Sequence, residues 1–304
     1  MSVESLAAAE CIDVAAAECA DAAPVVARTK AEVRAWVAEQ RAAGKRVGLV
    51  PTMGYLHDGH LSLIDRARET ADVVAVSIFV NPLQFGPAED LDRYPRDLER
   101  DLALAASRGT ELVFAPSAAD MYPEGEPRVS VLPDEEIGGR LDGGARPGHF
   151  RGVLTVVAKL FGIFTPDMAV FGQKDFQQAA LIRRMALDLD QGVRVEVAPI
   201  VREPDGLAMS SRNVYLSPEE RERARALSRG LEHGRALFAA GERDAEALRA
   251  ALWKALEVPG VQAEYAEAAN PLTLEPVATA DSGTVLLVAA RVGRTRLIDN
   301  AVLS

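Results

Sequence analysis

Two imidazoles three residues apart, His57 and His60, flank Gly59 in the segment Pro51-Thr52-Met53-Gly54-Tyr55-Leu56-His57-Asp58-Gly59-His60. Leu61, Ile64 and Ala67 follow at helical spacing, so the imidazoles sit where a helix begins. There, unpaired backbone N–H groups and the helix dipole attract anions. Gly59 has no Cβ, which lets a phosphate come close to the backbone. Imidazoles so placed can donate hydrogen bonds to phosphate oxygens as charge builds during attack at an α-phosphorus. The chain has four histidines, and two of them at this spacing favour phosphate chemistry over an incidental polar loop.

Other polar groups suit the same ligand. Lys174, in Gly172-Gln173-Lys174-Asp175, supplies a cation, Gly172 gives clearance, and Asp175 can cap the next helix. Alone, this turn is as consistent with a solvated surface. Ser210, Ser211 and Arg212, in Met209-Ser210-Ser211-Arg212-Asn213, form a second set of candidate phosphate ligands. Gln84 and Gln178 are neutral donor–acceptor groups suited to a hydroxylated substrate, though by themselves they read equally as exposed amides. His149 is a further candidate for the site, whereas His233, on a late helix, reads as a surface or packing residue. Gly-x-x-x-x-Gly-Lys-[Ser/Thr], Gly-x-Gly-x-x-Gly and Gly-x-Ser-x-Gly are absent, which excludes a P-loop, a dinucleotide fingerprint and a nucleophile elbow.

The elements that must carry these groups alternate in type. Val47–Val50, Val73–Val80, Glu111–Ala115, Met168–Phe171 and Val193–Ile200 read as buried strands. Between them, Asp97–Arg108, Phe150–Phe164 and Asp175–Leu189 read as helices, preceded by another at Ala31–Ala42. This order implies βαβ units and a parallel sheet with helices on both faces, an α/β fold. In such sheets ligands bind beyond the carboxyl ends of the strands, and each polar segment above follows a strand. After Val201 the texture changes. A helical region opens at Ser217-Pro218 and runs to about Gly241, a second covers Ala245–Leu256, and strands are expected at Gln262–Ala266, Thr284–Ala289 and Arg296–Ile298. The expected organisation is an N-terminal extension over 1–24, a sheet domain over 25–201 and a smaller α+β domain over 202–304.

Across 304 residues, 45 acidic against 34 basic side chains give a net charge of −11, which argues against a nucleic-acid partner needing a basic face. No run reaches the ~20 apolar residues of a membrane span. Cys11 and Cys19 both lie in the alanine-rich leader, expected to be a frayed extension that is neither a secretory signal nor a transit peptide. A cytoplasmic protein is expected.

Six motifs occur in one order: Pro51-Thr52-Met53-Gly54-x-Leu56-His57-x-Gly59-His60-x-Ser62-Leu63, Phe79-Val80-Asn81-Pro82-x-Gln84-Phe85, Tyr94-Pro95-Arg96, Arg146-Pro147-x-His149-Phe150-x-Gly152-Val153, Lys174-Asp175-x-Gln177-Gln178 and Met209-Ser210-Ser211-Arg212-Asn213. Together they resemble the pantoate–β-alanine ligase family, from about residue 28 to the end. His-x-Gly-His alone would indicate only the wider nucleotidyltransferase superfamily. Gln173 stands where that family often has Glu, and Phe176 where Tyr is frequent.

The resemblance implies a Rossmann-like sheet with a C-terminal lid domain, and a two-step reaction. Pantoate is adenylated by ATP with release of pyrophosphate, and β-alanine then displaces AMP to give pantothenate. It further implies that His57 and His60 contact the triphosphate, with His60 serving the reacting phosphate, while Lys174, Ser210, Ser211 and Arg212 hold phosphates. Met53, Gly54, Gly172, Asp175, Val201 and Met209 would contribute to the ATP pocket. Gln84 and Gln178 would bind pantoate with Asn81 nearby, Asp101 would contact Mg²⁺, and the protein would be a homodimer. Another His-x-Gly-His nucleotidyltransferase and a non-catalytic nucleotide-binding module are the alternative readings.

Overall fold

The structure is a computed structural model that describes residues 23–87 and 89–304. The expected frayed leader, with both cysteines, lies outside the described residues.

Six parallel strands form the larger sheet in the order β1-β4-β3-β2-β5-β6, comprising Val25–Ala27, Val47–Thr52, Val73–Ile78, Leu112–Phe114, Met168–Gly172 and Arg194–Ala198 in chain order. Neighbouring residues on each strand face opposite layers, as the two-residue period of a strand requires. Leu49, Ala75, Phe114 and Phe171 pack with α1 (Lys30–Ala42), α4 (His149–Phe164) and α5 (Phe176–Asp188). Val50, Val76, Val113 and Val170 pack on the other side, with α2 (Asp58–Arg68) and α3 (Leu98–Ala106). Helices therefore cover both faces, as the alternation of elements implies. β1 is an addition to the expected strands: its three residues after Pro24 are too few for a periodic signal, and pairing with β4 creates it.

The strand order reverses between β2 and β5, and this is where the sheet opens. β2 pairs with β5 only at Gly48 and Leu49, while its pairing with β3 continues to Thr52. The strand extends past the expected Val47–Val50 to Thr52, so that Pro51 lies within it. The Val47 carbonyl accepts from Asp167 on the β5 side and the Thr52 carbonyl accepts from Phe79 on the β3 side. By alternation, Pro51 turns its missing N–H toward β5, where pairing has already lapsed. A crevice of this kind at a topological switch point is the usual ligand position in open α/β sheets.

The remaining chain forms an antiparallel sheet in the order β7-β8-β9, comprising Val261–Ala269, Val285–Val292 and Thr295–Val302. Helices α6 (Pro218–Ala224), α7 (Ala226–Ala239) and α8 (Ala245–Leu256) bury Leu227, Leu231, Leu248 and Leu252 against Leu286, Val288 and Leu297. The helical region expected to run unbroken from Ser217 is divided at Arg225. Among the described residues no helix is long and apolar enough to cross a membrane.

Candidate active site

A cavity with about 210 Å³ of free space occupies the β2–β5 crevice. Its walls come from the ends of β2, β5 and β6, the start of α2, the helical turn Pro82–Gln84, α4 and the Ser210 loop. The imidazole pair, Lys174 and the Ser210-Ser211-Arg212 segment, drawn from distant parts of the sequence, all line this one cavity.

His57 has extended backbone angles (φ −144°, ψ 174°) and caps α2. The imidazole rings of His57 and His60 lie against each other with centroids 4.0 Å apart and planes tilted by 36°. The His57 backbone N–H donates to His60 Nδ1 at 3.3 Å, which assigns the His60 proton to Nε2. Burial, with the neighbouring Lys174 charge, lowers the His57 pKa to about 4. His60 is half-buried and lines the cavity, and burial followed by the charges of His57 and Lys174 pushes its pKa well below the usual imidazole value. Both rings are therefore neutral N–H donors at pH 7. A Cβ at residue 59 would lie 2.9 Å from the His57 ring, so Gly59 keeps that ring in place.

At one end of the cavity, Ser210 caps the short turn Ser211–Tyr215 by accepting from the Arg212 N–H. Tyr94 donates to Ser211 Oγ at 3.5 Å and also lies under the Arg212 guanidinium. Arg212 donates to both Asp90 oxygens, at 3.0 and 2.9 Å. Met209 donates its N–H to the Val201 carbonyl at 3.0 Å, tying this loop to the end of β6. Val201, Met209, Met53, Gly172 and Asp175 also line the cavity.

The other end is built around Gln84 and Gln178. Asn81 is fully enclosed: it donates to Gln84 Oε1 and the Gly152 carbonyl, each at 3.1 Å, and accepts from the Tyr122 hydroxyl at 2.8 Å. Its amide is thus committed to holding Gln84, with little capacity left for a substrate. The Gln84 amide donates to Met53 Sδ at 3.2 Å. His149 donates from Nδ1 to the Gln84 carbonyl, and Arg146 donates to His149 Nε2, both at 2.9 Å. Burial, then the Arg146 charge, lowers the His149 pKa to about 4, in keeping with a neutral ring accepting from an arginine. An apolar wall of Phe79, Val153 and Val157 completes this end. Gln178 lines the cavity, but the adjacent Gln177 turns away and joins Ile137, Arg140 and Asp142 through their backbones.

Two of the expected site residues lie outside the cavity wall. Asp101 does not face the cavity: its carboxylate accepts from the backbone N–H groups of Tyr55 and Leu56, both at 2.7 Å. Both oxygens secure the turn before His57, in which Gly54 and Tyr55 have φ of +83° and +51°. Gly54 is also absent from the cavity wall. A Cβ there would meet Ile78 at 2.8 Å and Asp101 at 3.0 Å, so the turn requires glycine.

Sequence reasoning missed the anchors behind the site. Glu89 makes a two-pronged ion pair with Arg146, as Asp90 does with Arg212. Burial raises both carboxyls, but the arginine hydrogen bonds and charges outweigh it and leave both below their usual values. No periodicity or spacing marks Glu89 or Asp90, whereas Arg146 and His149 stand in a visible motif.

A family model described as pantoate-beta-alanine ligase matches residues 25–302. The chain belongs to the pantoate–β-alanine ligase family. Within that family of ATP-dependent ligases it is 54% identical over 275 residues to the pantothenate synthetase of Geobacter sulfurreducens, covering 90% of this chain and 96% of that one. It is 56% identical over 278 residues to pantothenate synthetase 1 of Bradyrhizobium diazoefficiens, covering 90% and 96%. The crystal structure of pantothenate synthetase from Thermus thermophilus superposes with a TM-score of 0.87 at 47% identity, covering 91% of this chain and 98% of that one. The Francisella tularensis pantoate–β-alanine ligase, complexed with beta-gamma ATP and β-alanine, gives a TM-score of 0.74 at 33% identity, covering 92% and 98%.

Proposed function

We propose that this cavity joins pantoate to β-alanine with ATP, through pantoyl adenylate. The observation that carries the reading is the convergence of His57, His60, Lys174 and the Ser210–Arg212 loop on one cavity that also holds Gln84 and Gln178. A carboxylate is a poor acyl donor because its leaving group would be oxide, and adenylation supplies a better one. The pantoate carboxylate oxygen attacks the α-phosphorus, the bond to the bridging oxygen breaks, and pyrophosphate leaves with that electron pair. The β-alanine amine then attacks the acyl carbon, AMP leaves, and the amine gives up a proton to form the amide.

Neutral imidazoles, with His60 presenting Nε2–H, suit the first step, since they stabilise charge on phosphate oxygens without requiring proton transfer. His60 is assigned to the reacting phosphate and His57 to its neighbour. Lys174, Ser210, Ser211 and Arg212 hold the remaining oxygens. Met53, Gly172, Asp175, Val201 and Met209 form the nucleoside end. Gln84 and Gln178 bind the pantoate hydroxyls and carboxylate, and its two methyl groups fit the wall of Phe79, Val153 and Val157. The ATP and β-alanine of the Francisella tularensis complex support this choice of ligands.

Among the described residues no three acidic, histidine or cysteine side chains form a metal cage. Asp101 is committed to backbone and Asp90 to Arg212. The residues therefore do not fit a protein-held metal, and Mg²⁺ is proposed to enter as part of the nucleotide, held by phosphate oxygens and water. The two sheets correspond to proposed domains over 25–201 and 202–304, in a homodimer in the cytoplasm.

The test is pyrophosphate release from ATP. It is expected to require pantoate, with AMP and pantothenate formed only after β-alanine is added. Release independent of pantoate would favour another nucleotidyltransferase, and no release with any acid would favour a binding module.

A further inference from the structure

We propose that Asn300, on β9 of the smaller sheet, is a positioning residue for the phosphate-binding Lys174. This inference rests on the assignment of Lys174 made above.

Lysine carries its charge on a flexible four-carbon stem, so fixing the ammonium in a cavity begins with fixing the backbone below it. Lys174 sits in the short turn Gln173–Asp175, directly after β5. Neither Gly172, at the head of this turn, nor Asp175, at its end, makes a side-chain cap. The turn is held from outside. Asn300 Nδ2 donates to the Gln173 carbonyl at 2.9 Å and to the Lys174 carbonyl at 3.0 Å. Asn300 Oδ1 accepts from Gln173 Nε2 at 3.0 Å. Asn300 is 2% exposed, and three hydrogen bonds to one turn leave its amide no other task.

The neighbour on the same strand serves the other phosphate segment. Asp299 receives both terminal nitrogens of Arg202, at 2.6 and 3.0 Å, and Arg202 also donates to the Gly206 carbonyl at 3.0 Å. Asp299 Oδ1 accepts from the Asn300 backbone N–H at 2.8 Å. One strand of the smaller domain thus sets the positions of the Lys174 turn and of the base of the loop leading to Ser210. Asn300 does not line the cavity, so it acts through Lys174 rather than on substrate.

A double-mutant cycle tests this, using pantoate-dependent pyrophosphate release in single turnover. Asn300→Ala is expected to slow adenylation about 10- to 100-fold, the scale for a sub-ångström to ångström displacement of a positioned group, with the KM for pantoate unchanged. In a Lys174→Ala background the same change is expected to cost less than about twofold, because residues acting through one another are not additive. Asn300→Asp keeps the shape and the acceptor but removes both donors, and it should reproduce the Asn300→Ala loss should the alanine variant fold poorly. Full multiplication of the Asn300 and Lys174 losses would overturn the inference while leaving the Lys174 assignment standing. Undiminished adenylation by Lys174→Ala alone would remove that assignment and the inference together.

Discussion

His60 accepts a hydrogen bond at Nδ1 from the backbone N–H of His57, 3.3 Å away. One backbone donor therefore sets the tautomer of the neighbouring imidazole and aims its remaining proton outward. A group fixed in this way costs little reorganisation when charge develops on a phosphate oxygen. His60→Ala is expected to slow adenylation by about 10²–10³, the scale for losing one preorganised donor. Single-turnover pyrophosphate release measures it, and a near-normal rate would exclude His60 from the mechanism.

The same enclosure has a consequence for stability. His57 and His149 each have a pKa lowered from 6.5 to about 4 in the folded chain. Between these values the unfolded chain binds more protons, so stability rises with pH. The contribution is complete above pH 6.5 and is lost as the pH falls from there to about 4. Urea midpoints should be flat from about pH 8 to the unfolded imidazole pKa and decline below it. A His57→Gln/His149→Gln variant should decline less steeply over that interval, and an unchanged slope would contradict the neutral-ring description.

Much of this arrangement was legible in the chain. The buried strands and the polar segments after them were visible because β-branched runs and helical spacing are local patterns, and six ordered motifs marked the site. What escaped was non-local. β1 exists only through its pairing with β4, and Glu89, Asp90 and Asn300 matter only through partners distant in sequence. The backbone duty of Asp101 was hidden in the same way, because nothing in its own helix reveals the two N–H groups it serves.

Adjacent glutamines offer a comparison within one helix. Gln178→Ala is expected to weaken pantoate binding with ATP affinity little changed, since Gln178 faces the cavity. Gln177→Ala should instead destabilise the fold by about 1–3 kcal/mol, because it leaves the buried Asp142 N–H and the part-buried Ile137 carbonyl without their side-chain partner. Calorimetric titration and chemical unfolding separate the two effects. A stability loss at Gln178 with intact pantoate binding would reverse the assignment.

Asp101 can be tested for a turn-holding role against a metal contact. Asp101→Asn retains one carbonyl acceptor but puts an amide donor against a backbone N–H, so the Tyr55–Leu56 turn should loosen. Adenylation should fall while the Mg²⁺ concentration giving half-maximal rate stays the same. A large increase in that concentration would restore Asp101 as a metal contact.

Gly152 is where helix α4 meets the turn carrying Gln84. A Cβ at residue 152 would lie 2.2 Å from the Leu83 carbonyl oxygen and 2.6 Å from the Gln84 nitrogen, distances no relaxed contact allows. The backbone must move, and Asn81, bonded to both the Gly152 carbonyl and Gln84, must follow it. Overpacking of this kind typically costs about 1–3 kcal/mol. Here the displaced segment also carries the proposed pantoate ligand. Gly152→Ala should therefore raise the KM for pantoate well beyond any change in the KM for ATP, while the nucleotide end, built on β5 and β6, stays in place. Steady-state kinetics with each substrate varied in turn decides it: an equal rise in both values would mean that Gly152 supports the whole cavity rather than the Gln84 turn.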